Sequence, residues 1–374
     1  MPLSKIVAKS ITDDTITTDQ IADTSVHGRR NLVINGAMQV AQRGTSFATM
    51  GNGDSQYTLD RFKWQEAGST TAEMTVTQSS TSPNEFSKSM KVDVTTADTT
   101  LGANDLIYIQ YKNEGNVLGG IAKGTSDAKP LTLSFYVRSN TTGTFVVYLF
   151  DVDNTRSVSG TYTINAADTW ERKEVNFPAD TSGALTIDNS HAMSINWVLG
   201  AGSNLKSSTL QTSWGSYDST ALATGSTDIT GSTSNDLYIT GVQLEVGNKA
   251  TPFEHRSYGE ELFACQRYYR EYGGNSSNER VGVGFNNQTN QCRLALPLSP
   301  NMRTAPSEST SADSHWTVES GGGQYPCNAI GLDQASSKVA SLNCTTSSSS
   351  LLNKGAGQLM GNTTSARLKL NAEL

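Results

Sequence analysis

Ile6, Ile11, Ile16, Ile21 and Val26 recur at every fifth position near the amino end, separated by Ser, Thr, Asp, Lys and Gln. A period of five matches neither the ~3.6 residues of a helical turn nor the ~2 of a strand. On a helix these side chains drift around the cylinder; on a single strand they alternate between faces. One such segment cannot bury its own apolar row. Several copies wound about a shared axis can, each sending one side chain inward per repeat. Residues 1–31 are therefore expected to form an extended oligomerisation stem, most naturally in a homotrimer. The competing reading is a disordered tail whose spacing is accidental.

Beyond Arg30 the pattern changes. Asn31–Gly36 reads as a short strand and Met38–Arg43 as one helical turn stopped by Gly44. Alternating apolar residues then mark strands at Ala72–Gln78, Ser89–Thr95, Leu106–Tyr111, Leu131–Arg138, Thr144–Phe150, Thr161–Ile164, Trp170–Phe177, Met193–Leu199 and Asp236–Glu245. No long helical pattern interrupts them, so residues 32–256 are expected to form an antiparallel jelly-roll β-sandwich. Trp64, Trp170 and Trp197 sit in strand-like patterns and are expected in its core. Composition agrees with an all-β chain. Charged residues are 17%, below the usual ~25%, and Ser, Thr and Asn take their place, which excludes a coiled coil. A net charge of −7 with aromatics spread throughout argues against disorder. Ala201–Ser234, rich in Gly, Ser and Thr, is the one long stretch without strand pattern, and loops of this length are usually functional or mobile.

Residues 257–273 read as a connecting helix. Across Tyr258–Tyr272, Leu262, Cys265, Tyr269 and Tyr272 share one face, and Gly273-Gly274 ends the pattern. Residues 274–374 read as a C-terminal β domain, with strands at Val281–Phe285, Gln291–Leu296, Thr317–Val318, Asn328–Leu332, Lys338–Asn343 and Ala366–Leu370. No basic run offers a nucleic-acid footprint, and no apolar stretch reaches the ~20 residues needed for membrane insertion. Cys265, Cys292, Cys327 and Cys344 form no CxxC and are expected as reduced, mostly buried thiols.

Three stretches resemble phage tail-fibre and receptor-binding proteins. Asn31–Phe47 with Tyr57–Trp64 is similar to the opening of modules in such fibres. Ile239–Leu262, continuing into Cys265–Tyr269, is similar to their closing strand and exit helix, and Leu296–Pro306 to the segment downstream of that helix. The five-residue stem is also similar to repeats in fibre shafts. The resemblance implies a trimeric virion protein, assembled in the host cytoplasm, with a jelly roll related to carbohydrate-binding modules. Its partners would be other virion proteins, through the stem, and host surface polysaccharide.

The search for catalytic chemistry finds no GxSxG, HExxH or P-loop, and His27, His191, His255 and His315 are scattered, so no enzyme, cofactor or metal is expected. Asp151, Asp153 and Asn154 could offer oxygens to calcium but lack an EF-hand's Gly and distal Glu; a hydrogen-bonded turn is the plainer reading. Sugar binding needs aromatic faces for C–H stacking and polar groups for hydroxyls. The loop residues Trp214 and Tyr217, and His315, Trp316, Glu319 and Tyr325 in the C-terminal domain, are the glycan-binding candidates, with core or subunit packing equally open for the aromatics. The expected function is host attachment by glycan binding. The alternatives are a structural adaptor without a receptor, or a glycan depolymerase.

Overall fold

The computed structural model describes residues 29–51 and 53–374. The pentad row Ile6–Val26, and with it the stem and its trimer, lies outside them. In chain order the first half lays down β1 (Ser46–Gly51), β2 (Ser55–Tyr57), β3 (Phe62–Ala67), β4 (Glu73–Ser79), β5 (Ser89–Thr96) and β6 (Leu106–Glu114). A single helical turn, α1 (Gly115–Leu118), comes next. Then come β7 (Leu131–Ser139), β8 (Gly143–Asp151), β9 (Arg156–Ile164), β10 (Glu171–Phe177), β11 (His191–Ala201), β12 (Gly215–Ser216) and β13 (Asp236–Val246). They pair antiparallel into a six-stranded sheet, β1-β4-β5-β13-β7-β10, and a seven-stranded sheet, β12-β9-β8-β11-β6-β3-β2. Consecutive strands β5 to β8 cross from one sheet to the other at each step, which is jelly-roll connectivity.

Each strand alternates because one side faces the partner sheet. Met90, Val92 and Val94 of β5 point inward, and Lys91 and Asp93 outward. The shared core holds Phe62, Trp64, Phe135, Phe145, Phe177 and Trp197. The Phe135 ring meets Trp197 edge-on, with centroids 6.0 Å apart. Side chains of this size contribute about 1.5–3 kcal/mol each on burial. Trp170 departs from expectation: it precedes β10, is only half-buried, and lies against Tyr238 on the outer face of the six-stranded sheet.

Asn31–Gly36 forms no strand, and Met38–Arg43 no helical turn. The buried Asn35 side chain organises this stretch. Its amide closes a ring of hydrogen bonds with both backbone groups of Val40 and with the Asp60 carbonyl, each at 2.9 Å. A side-chain amide thus takes the place of ladder or helix partners.

After the sandwich, α2 (Tyr258–Cys265) starts at a capping box: the Glu260 N–H donates to Ser257 Oγ, and the Ser257 N–H to Glu260 Oε2. The helix is shorter than its apolar face suggests. Tyr269–Tyr272, expected as its last turns, is strand β14, because these residues pair with β22 (Leu368–Asn371). The rest is β15 (Glu279–Gln288), β16 (Gln291–Pro297), β17 (Ser307–Thr310), β18 (Trp316–Ser320), β19 (Gly323–Ala335), β20 (Val339–Thr346) and β21 (Ala356–Gly361). A closed barrel, β15-β16-β20-β19-β18-β21, stands beside a three-stranded sheet, β14-β22-β17. Closure removes the exposed edges that a short β domain would otherwise carry. Cys265, Cys292, Cys327 and Cys344 are all buried free thiols.

The two halves meet at a buried cationic joint. Arg61 bonds the Glu373 carboxylate and lies over the Tyr268 ring at 3.4 Å. Arg43 bonds the same carboxylate at 3.1 Å and covers Tyr269 at 3.7 Å. Arg303 donates to the carbonyls of Ala372, Glu373 and Asn189, which fixes the end of the chain against β11's leading turn.

Candidate functional site

The outer face of the seven-stranded sheet is built by register. Lys63 pairs with Gln110, Gln110 with Asn196, Asn196 with Tyr148, and Tyr148 with Ser159. Because side chains two apart share a face, the flanking rows hold Gln65 and Tyr108 on one side and Lys112, Ser194 and Phe150 on the other. The Gln110 amide donates to Asn196 Oδ1 at 2.9 Å, and the Asn196 amide to Ser194 Oγ at 3.2 Å. The middle of the face is thus a floor of linked amides and a hydroxyl.

The 201–234 loop roofs half of this face. Leu205, Leu222 and Ala223 bury Leu106, Val146, Val198 and Tyr148 in a small satellite core. The Ser159 N–H donates to the Gln211 carbonyl at 2.7 Å, and the Tyr217 N–H to that of Thr155 at 2.9 Å, which lashes the loop to the β8–β9 edge. Where the roof stops, aromatics stand in a row. Tyr217 is 38% exposed and meets the half-buried Phe150 edge-on at 5.2 Å; Tyr108 lies 6.4 Å from Tyr148. Burial, with Tyr217 beside it, pushes the Tyr108 hydroxyl up to about 12, so it stays a neutral hydrogen-bonding group. The result is a groove with an aromatic wall and a polar floor.

The other end of the groove is basic. Burial and neighbouring Lys63, against the opposing pull of Glu373, hold Lys112 down to about 8. Burial lowers Lys63 as well. His191 is pushed down to about 3, first by burial and then by Lys112, Arg61, Lys63 and Arg303.

The sequence candidates fall in different places. Tyr217 stands on the groove wall. Trp214 does not offer a free ring: its indole N–H donates to the Pro178 carbonyl at 2.9 Å, and its face covers the Lys123 ammonium at 4.9 Å. That ammonium bonds the buried Asp151 carboxylate, Asp180 at 3.0 Å and the Gly183 carbonyl at 2.8 Å. The Asn154 N–H also donates to Asp151, so the 151–154 stretch is a hydrogen-bonded turn with a lysine at its carboxylate. Trp316 is fully buried in the barrel core, and Tyr325 packs half-buried against the same core. Trp316 shares that core with Leu294, Leu296, Leu342 and Leu359. His315 ends a short turn before β18, with its Nδ1 buried, and takes no part in the groove. Glu319 receives Arg280 and Gln358, each at 2.9 Å, on the barrel surface. It borders a depression of about 290 Å³ beside the tight Gly321-Gly322 hairpin, where both φ angles are positive.

Sequence reasoning missed Tyr108, Gln110, Asn196, Tyr148 and Phe150, which lie in strands whose alternation already accounts for them structurally. The signal was present: the outward positions of β6, β8 and β11 include Tyr108, Gln110, Tyr148, Phe150 and Asn196, aromatics and amides beside Lys112 and Ser194. Among the described residues no three His, Cys, Asp or Glu side chains are gathered as metal ligands.

No family model matches the chain, and no curated protein matches it. Among solved structures, the chain is similar to the enzymatically active domain of tailspike protein 4 of bacteriophage CBA120, at 14% identity and a TM-score of 0.29 over 53% of this chain. It spans only 21% of that domain's length. It is also similar to a family 11 carbohydrate-binding module from Clostridium thermocellum in complex with a mixed-linked tetrasaccharide (13% identity, TM-score 0.27, 57% of this chain and 99% of that one). A third is a xylan-binding domain of carbohydrate-binding family 22 (13% identity, TM-score 0.27, 55% of this chain and 97% of that one). By its own topology the chain is an all-β protein, a two-sheet antiparallel sandwich carrying a groove on one outer face, joined by a short helix to a β-barrel.

Proposed function

We propose that this protein binds glycans in the half-roofed groove of the seven-stranded sheet, and that it serves as a virion fibre protein attaching a phage to its host. The observation that carries the glycan reading is the meeting of an aromatic wall, Tyr108, Phe150 and Tyr217, with the half-buried Gln110 amide, which the buried Asn196 holds in place, on one face. Aromatic faces stack on the C–H surfaces of a pyranose, while amides hydrogen-bond its hydroxyls in pairs. An open groove rather than a closed pocket suits an extended polymer.

The virion assignment rests on the sequence: the pentad stem and the fibre-like stretches. Three chains on one stem multiply a weak single-site affinity, since the second and third contacts become intramolecular. Glycan-array binding tests the site. Tyr217→Ala and Gln110→Ala should each weaken binding about tenfold, equivalent to ~1.4 kcal/mol. Full binding in both variants would overturn the groove assignment. Release of reducing ends from a bound polysaccharide would instead make the protein a depolymerase, and silence on glycans together with retained particle incorporation would make it an adaptor.

A further inference from the structure

The barrel carries a surface that the groove does not use. Glu319 of β18 is the register partner of Gln358 of β21, and Gln358 of Val283 of β15. In the next row Ala356 of β21 is the partner of Phe285 of β15. Register partners stand on the same side of a sheet with Cβ atoms ~4.5–5.5 Å apart, so these side chains face outward together. Val283 is 71% exposed and Phe285 55%. Leu352, 60% exposed, stands at the far rim, where a Cβ built on Gly321 would lie 3.8 Å from its own Cβ. The buried Asn286 amide donates to the Leu352 carbonyl at 2.9 Å and holds that rim in place. A single exposed apolar side chain is ordinary, whereas a group around one depression marks a contact surface.

The depression, about 290 Å³, is lined by Val283, Glu319, Ala356, Gln358 and the hairpin glycines. The positive φ angles of Gly321 and Gly322 favour residues without a Cβ, which leaves bare backbone there. A Cβ on Gly322 would meet nothing within 4 Å, so the space above the hairpin is open. Polar chemistry stands at its edge. Glu319 Oε2 receives both Arg280 and Gln358, at 2.9 Å each, while Glu319 Oε1 has no partner among the described residues. The ion pair cancels the local charge, so the depression favours neither an anion nor a cation. A wholly apolar partner would cover Oε1 and leave it unpaired, at a desolvation cost. A small ion would leave Val283 and Phe285 in water. A neutral sugar answers both demands, with C–H faces for the apolar side chains and hydroxyls that donate to Oε1. The volume is close to the lower bound of ~300–1,000 Å³ for small-molecule sites, which suits a single sugar unit.

We infer that the barrel holds a second carbohydrate site, separate from the groove. It seats one neutral sugar residue against Val283 and Phe285, with Glu319 accepting a hydroxyl.

The test uses the full chain and a panel of methyl glycosides of neutral hexoses and N-acetylhexosamines, read by saturation-transfer NMR and titration calorimetry. In a Tyr217→Ala background, which disables the groove, at least one glycoside should still bind. Phe285→Ala and Glu319→Ala, added singly to that background, should each weaken this binding about tenfold. Melting temperatures should hold, since Phe285 is exposed and the Arg280–Glu319 pair lies at the surface. Tyr258→Ala, an exposed side chain on α2, should leave binding unchanged. No glycoside bound in the Tyr217→Ala background, or undiminished binding after both barrel substitutions, would overturn the barrel site without touching the groove, which longer glycans on the array test. Binding lost with Phe285→Ala yet indifferent to Tyr217→Ala would support the barrel site and count against the groove. A change of subunit number with Phe285→Ala in sedimentation would make this face a contact between copies and overturn the sugar reading.

Discussion

The two outer faces of the sandwich obey the same alternation yet carry opposite chemistry. On the outer face of the six-stranded sheet, Lys91 reaches Asp93 at 3.1 Å and Arg138 reaches Asp168 at 2.7 Å, while Arg172 donates to the Thr251 carbonyl. Tyr238 there is spoken for, flanked by Lys91, Arg138 and Trp170. On the seven-stranded sheet, aromatics line the edge of a roof, amides bond one another, and Lys112 donates to the Leu374 oxygen at 2.8 Å. The faces differ in what stands outward: ion pairs and a tyrosine under cations on the first, Tyr108, Phe150 and Tyr217 beside the Gln110–Asn196 amide pair on the second.

The comparison can be broken at several points. The largest stability effect should come from a buried, matched charge. Asp151→Asn leaves the Lys123 ammonium short of a carboxylate and should cost about 3–5 kcal/mol in urea unfolding. If that variant is as stable as the wild type, the Asp151 carboxylate is not what holds the Lys123 ammonium in its buried place. Next is acid sensitivity. His191 is about 3 when folded against an ordinary value near 6.5, so the unfolded chain takes up this proton first. Stability should therefore fall as pH drops from about 6.5 toward 3, and His191→Gln should flatten that slope in urea titrations at several pH values. A smaller effect is expected at Lys63. Lys63→Gln should change stability by no more than about 0.5 kcal/mol in either direction, as read by thermal melts. The smallest is on the matched face, where Lys91→Gln should cost between 0 and about 1 kcal/mol and leave binding untouched, as read by thermal melts and the glycan array.

Much of the sandwich was legible because burial on one side of a sheet writes itself as alternation. Ser89–Thr95, Leu131–Arg138 and Met193–Leu199 fall on β5, β7 and β11. Where local chemistry overrode pattern, the reading failed. The buried Asn35 amide replaced a helical turn with a side-chain-built one, and pairing with β22 drew Tyr269–Tyr272 out of the helix. The candidate site was harder. Tyr217 was visible because a loop tyrosine has no evident core role. Trp316 looked similar from its Gly- and Ser-rich surroundings, yet barrel closure places it at 0% exposure.

What the order of residues determined alone is which side chains share a face, since strand periodicity is a local, steric property of the backbone. It thereby determined an all-β chain with Trp64 and Trp197 inside. Only the tertiary structure decided which outward face remains open, because that depends on where the 201–234 loop lies down. It also decided which charges meet, since Arg43 and Arg61 reach Glu373 from the other end of the chain. Distance in sequence carries no information about Coulomb energy until folding sets the distance in space.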